Sequence, residues 1–192
     1  MQKTLTLLTI KNLTHGPIQN LNFTWSAGVS WVCGDEGKGK TTLLRLLAGE
    51  VQASAGNVIG HEGDVFWADL QDPAHDNTTV QACWDALRTR YANWDDALLQ
   101  DLAEALDMHQ HREKRLNMLS TGSRRKVMVL AALASGATVT LMDQPFAALD
   151  LASIRIIKDF LQEAAEHPSR AWIVADYEAP HDLPLASVLS LD

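Results

Sequence analysis

Positive charge is scarce in this chain. Its 192 residues carry 16 Lys and Arg against 24 Asp and Glu, giving a net charge of -8 and a pI near 5.3. Duplex backbones are held by clustered Lys and Arg, so this balance argues against nucleic acid as a partner. Cysteine is scarcer still. Cys33 and Cys83 each lie in a segment that reads as buried, and two reduced thiols of a cytosolic protein are the expectation. Long apolar runs are missing too: the longest, Val127 to Ala134, is far too short to span a bilayer. The opening MQKTLTLLTIKN lacks a signal peptide's charged start, long apolar middle and small-residue cleavage site. No internal repeat, low-complexity tract or long linker occurs. What is present, at 46% hydrophobic and 21% charged residues, fits a soluble cytoplasmic protein with one buried core, or one core with a smaller lobe.

Periodicity predicts an edge strand over Leu5 to Leu13 and strands over Leu21 to Trp25 and Val29 to Cys33. A helix over Lys40 to Ala48 puts Leu43, Leu44, Leu46 and Leu47 on one side and stops at Gly49. Two short strands follow, over 56–60 and 64–68. From Val80 the chain turns strand-poor, with helical spacing around Trp84 to Tyr91, Asp96 to Met108 and Ser120 to Ala134. Strand and helix then alternate again: 138–142, 151–166, 172–175 and 187–191. A helical block interrupting a strand-helix alternation implies an α/β chain with an insert.

The strongest motif is Gly34-Asp35-Glu36-Gly37-Lys38-Gly39-Lys40-Thr41, which fits G-x-x-x-x-G-K-[ST] between a predicted strand and a predicted helix. Its glycines let backbone N–H groups converge on phosphate oxygens, and the helix dipole adds positive potential there. Lys40 is expected to reach the β- and γ-phosphates, the Thr41 hydroxyl to ligate Mg²⁺, and Thr42 to complete the nucleotide-binding set. Asp143, at the end of an apolar strand, is the second expected metal residue, holding Mg²⁺ through a bound water.

Many nucleotide enzymes share those two parts. The stretch Leu119-Ser120-Thr121-Gly122-Ser123-Arg124-Arg125-Lys126 separates them, because it resembles the L-S-G-G-Q signature of ATP-binding cassette (ABC) ATPases. Gln71 sits where that family has its Q-loop glutamine, residues 143–150 resemble its Walker B strand and D-loop, and 172–178 occupy its switch-histidine segment. The resemblance implies a P-loop NTPase (RecA-like) core with a mixed sheet, an N-terminal antiparallel β part and an inserted helical subdomain. The core would span 1–72 and 137–192, the insert 73–136, within a single ABC domain over 1–192. It also implies ATP and Mg²⁺ as cofactors, with Gln71 near the metal and in catalysis. Ser120 and Gly122 would present an anion site to the ATP of an opposing subunit. ATP would then hold together a homodimer or a heterodimer with a second ABC subunit. A membrane-embedded transporter subunit would recruit the chain to the inner face of the membrane.

The departures matter as much. Gln144 stands where the family has the glutamate that polarises water, and losing a general base typically costs roughly 10²–10⁴-fold in rate. A Gln can still orient water through its carbonyl oxygen, so slow hydrolysis stays open beside divergence in a subunit paired with an intact partner. Asp176 aligns with the switch histidine, and no His lies between Trp172 and Pro180. A carboxylate there repels phosphate unless a cation neutralises it. Thr121 and Ser123 replace a signature glycine and the signature glutamine. His15 falls where the family stacks an aromatic on adenine; an ordinary loop histidine explains it equally well. His109 and His111 are spaced i, i+2, which does not put two ligands on one helix face, so a solvated linker is expected. Arg124, Arg125 and Lys126 open a helix against its dipole, which points to phosphate or subunit contacts or to a solvated face. The chain ends soon after the switch segment, as a minimal cassette would. Three functions remain: ATP-binding subunit of a transporter, non-transport ATP-dependent dimerisation switch, and small-molecule phosphotransferase.

Overall fold

A computed structural model describes residues 5–60 and 63–192, which fall into two compact units. The first unit runs to Trp67 and resumes over Thr138–Gln144 and Asp159–Asp192. It holds two sheets. Strands β1 (Thr6–His15), β2 (Ile18–Ser26) and β4 (Ala55–Gly60) form an antiparallel sheet in the order β2-β1-β4. Strands β3 (Gly28–Cys33), β5 (Val65–Phe66), β6 (Val139–Asp143), β7 (Ala171–Ala175) and β8 (Ser187–Ser190) form a parallel sheet in the order β5-β6-β7-β3-β8. The parallel and antiparallel parts are therefore separate sheets.

The expected edge position of β1 is corrected: it is the middle strand of its sheet. Its irregular alternation comes from register shifts between Thr6 and Leu8, Ile10 and Leu13, and Leu13 and His15. Asn12, at φ 51°, sits within one of these bulges, and its N–H donates to Asn22 Oδ1 at 2.9 Å. The bulges let Leu7, Leu8, Ile10 and Leu13 all be buried on one strand.

Helix α1 (Lys40–Leu47) follows β3, and Gly49 at φ 75° ends it as expected. Leu43, Leu44, Leu46 and Leu47 are buried among Trp25, Val32, Leu141 and Ile173. Each such leucine contributes ~1.5–3 kcal/mol of apolar transfer energy, which fixes α1 on the core and with it the loop that precedes it.

The second unit comprises Ala68–Ala137 and Pro145–Lys158. Its helices are α2 (Val80–Arg88), α3 (Asp96–Ala105) and α4 (Thr121–Ala134); α5 (Leu151–Ala164) begins here and ends in the first unit. Thr79, Asp95 and Ser120 cap α2, α3 and α4 through their side-chain oxygens. Trp84 anchors the unit, fully buried, with Nε1 donating to the Val127 carbonyl at 3.0 Å. Gly136, at φ 66°, could not be another residue: an added Cβ would lie 1.9 Å from the Asn93 carbonyl oxygen. Cys33 and Cys83 are free thiols; Cys83 is buried, whereas Cys33 is partly exposed. Among the described residues no helix is long and apolar enough to cross a membrane.

Candidate functional site

In the first unit the loop from Gly34 to Gly39 links the buried strand β3 to α1. Gly37 at φ 80° and Gly39 at φ 99° take left-handed conformations, and a Cβ at Gly39 would meet Pro17 Cγ at 2.8 Å. The first turn of α1 has no side-chain cap and no acidic residue. Its unpaired N–H groups and positive dipole end therefore remain available to an anion.

Lys40 is only 6% exposed, and its Nζ donates to the carbonyl oxygens of Gly34 and Asp35, the latter at 2.9 Å. The Thr41 hydroxyl donates to Asp143 Oδ2 at 2.5 Å. Strand pairing produces that contact, because β6 ends at Asp143 in register with Ala175 and its last residue faces the start of α1. Gln144 follows at φ 45°, a left-handed conformation unusual for a residue with a side chain, and its N–H donates to the Ala175 carbonyl at 2.8 Å. A cavity of about 440 Å³ opens here, lined by Pro17, Glu36, Gly37, Gly39, Lys40, Thr41, Thr42, Gln144 and Tyr177.

Two lining residues escaped the sequence reading. Tyr177, rather than Asp176, forms the wall beyond β7: the Asp176 N–H donates to Val32 O, and its carboxylate accepts from the Tyr177 N–H at 2.8 Å. The aromatic one position past the aligned histidine was the available signal. Pro17 lines the cavity and His15 does not; His15 Nδ1 lies 3.3 Å from Ser54 Oγ. Asp35 and Lys38 belong to the loop but not to the cavity wall, and the Asp35 N–H donates to Asp192 Oδ1 at 3.2 Å. Burial pushes the neighbouring Cys33 thiol up, and the nearby Asp192 and Asp176 charges add to that shift.

Three expected site residues belong to the second unit. Ser120 is exposed and caps α4, its Oγ accepting from the Ser123 N–H at 3.1 Å. Gly122 packs so closely on the segment after β6 that a Cβ would lie 2.3 Å from the Ala148 carbonyl oxygen. Gln71 is exposed, with its N–H donating to Asp69 Oδ1 at 3.1 Å. The basic run that follows the signature turns inward. Arg124 binds the Leu70 and Asp72 carbonyls and the Asp76 carboxylate, while Lys126 binds the Leu106 carbonyl and the Asp150 carboxylate. Those two side chains are therefore neither a solvated face nor phosphate ligands. His109 and His111 lie in a 3₁₀ turn, His109 exposed as a solvated linker would have it and His111 half-buried. Asp150 accepts from the Ser153 N–H and hydroxyl at 2.8 Å each. Those bonds, with Lys126 third, hold its carboxyl well below the usual carboxylate range.

Thr41 and Asp143 offer oxygen donors only, which suits a hard divalent cation such as Mg²⁺. Among the described residues no cluster of three or more His, Cys, Asp or Glu could hold a metal by itself. A cation held by these two residues would thus draw its remaining oxygen donors from phosphate and water.

The ABC transporter family pattern matches residues 18–147. A cytochrome c biogenesis ATP-binding export protein, CcmA, of Paramagnetospirillum magneticum is 31% identical over 202 residues, covering 90% of this chain and 85% of that one. Its namesake from Gluconobacter oxydans is 32% identical over 141 residues, and the alignment spans 71% of this chain but only 63% of that relative. The fold alone is shared with a solved ATP-binding subunit of an ABC transporter, at a TM-score of 0.71 and 17% identity over 88% of this chain and 79% of that one.

Proposed function

This chain belongs to the ABC transporter family, and from that premise we propose that it holds Mg-ATP on the loop from Gly34 to Thr42 as the ATP-binding subunit of a membrane transporter. The observation that carries this reading is the meeting of Lys40, Thr41 and Asp143 beside a loop of left-handed glycines. Lys40 would bind the β- and γ-phosphates, loop N–H groups would take the remaining phosphate oxygens, and Thr41 and Asp143 would hold the Mg²⁺. Held by these residues, Mg²⁺ would supply charge neutralisation at the transferring phosphoryl group.

The chain's own residues limit the chemistry. Gln144 reaches the cavity wall but cannot accept a proton, so it orients water without acting as a general base. Tyr177 likewise offers no base in the switch segment. Slow turnover follows. Ser120 and Gly122 complete the γ-phosphate's shell in a second subunit, so that ATP drives association. The name of its relatives suggests that the partner is a membrane subunit of a cytochrome c biogenesis exporter, which would hold the chain at the inner face of the membrane. A second reading, a dimerisation switch without transport, is favoured only by Gln144.

Size-exclusion with light scattering tests the subunit model. Expected is a monomer without nucleotide that dimerises in Mg-ATP but not in Mg-ADP. A monomer under every condition would refute ATP-driven association.

A further inference from the structure

Lys40 does not wait in open space for a phosphate. Its amine donates to the Gly34 and Asp35 carbonyl oxygens and also lies 4.7 Å from the centroid of the Tyr177 ring. Tyr177 is tied to the same loop through its backbone, since its carbonyl oxygen accepts from the Gly34 N–H at 3.4 Å. Its N–H is fixed by the Asp176 carboxylate at 2.8 Å. The anchor is thus fastened at the entrance of the phosphate loop. The residue is nevertheless 51% exposed and forms part of the cavity wall, so its side chain has room to move. A largely desolvated ammonium held by two carbonyl dipoles and an aromatic face has much of its charge satisfied before any ligand arrives.

From this geometry we infer that Tyr177 is a positioning residue that competes with phosphate for Lys40. Its ring holds the amine in the nucleotide-free site, and that contact is surrendered when a triphosphate enters. The inference rests on the nucleotide-binding reading above. It gives the switch segment of this chain a role that needs no proton transfer: the apparent affinity for nucleotide is set partly by the strength of a cation–π contact that must first be broken.

Three proteins test it: the wild type, Tyr177→Phe and Tyr177→Ala, each titrated calorimetrically with Mg-ATP and Mg-ADP. Tyr177→Phe keeps the ring face and is expected to match the wild type. Tyr177→Ala removes it and is expected to bind Mg-ATP about two- to fivefold tighter, the size of a cation–π contact at a partly exposed site. A second readout isolates the amine itself. Acetylation of nucleotide-free protein, mapped by peptide mass, is expected to be faster at Lys40 in Tyr177→Ala alone, with the other lysines unchanged. A general loosening of the fold would not single out one lysine. Equal or weaker Mg-ATP binding by Tyr177→Ala overturns the inference while leaving nucleotide binding intact. Failure of all three proteins to bind Mg-ATP overturns the nucleotide reading and this inference together.

Discussion

Gln144 combines an unreactive side chain with an uncommon backbone. Its φ of 45° is held by the bond from its N–H to the Ala175 carbonyl, which does not depend on the side chain. Glutamate can therefore replace it without moving the main chain, and Gln144→Glu is expected to raise the steady-state rate of phosphate release at least about tenfold. The gain should stay below the full range of roughly 10²–10⁴ for a general base, because the switch histidine is also missing. Phosphate-release assays on the two purified proteins decide it, and an unchanged rate would show that Gln144 is not the limiting defect. Asp150 offers a test by pH. A carboxyl whose folded pKa is depressed contributes stability that is present above its unfolded value, near 3.8, and is lost as pH falls from there towards the folded value. Asp150→Ala should thus lower the melting temperature at pH 7, and the gap should narrow as pH is taken below about 4. A gap independent of pH would mean that the Ser153 and Lys126 contacts contribute nothing through charge.

The signature segment and the segment after β6 are coupled as elements of one unit. Gly122 leaves no room for a methyl group, since Ala148 O would lie 2.3 Å from it. Gly122→Ala is expected to destabilise the protein by about 1–3 kcal/mol through overpacking, measured by urea denaturation. A loss under about 0.5 kcal/mol, the range of a neutral surface change, would mean that the two segments separate easily. That contact also explains why the signature glycine was legible only as a phosphate donor: its packing partner lies 26 residues on, beyond any local pattern. Legibility followed the range of the cause throughout. The phosphate loop and the four α1 leucines were readable because their geometry is set within a single turn. The place of β1 in its sheet was not, because three register shifts break the period of two and its partner β4 comes 40 residues after its end. Tyr177 was missed by one position, because the bond from the Asp176 N–H to Val32 O fixes which residue leaves β7 towards the cavity.

At the scale of the molecule, the parallel sheet brings the end of β6 to the start of α1, so the Thr41 hydroxyl and the Asp143 carboxylate, 102 positions apart in sequence, meet in the proposed cation site. Family membership, the cavity and the pairing of Thr41 with Asp143 are what support the proposal of a firm nucleotide grip, and Gln144 is what supports slow turnover. The grip is the part on which everything else depends. Isothermal titration of Mg-ATP into the wild type and into Lys40→Ala measures it without requiring turnover, a partner or a membrane. One saturable site per chain is expected, with binding weakened at least about tenfold by the substitution, since a hydrogen-bonded charge contact to phosphate is lost. No heat of binding in the wild type, or equal affinity in Lys40→Ala, would contradict the account.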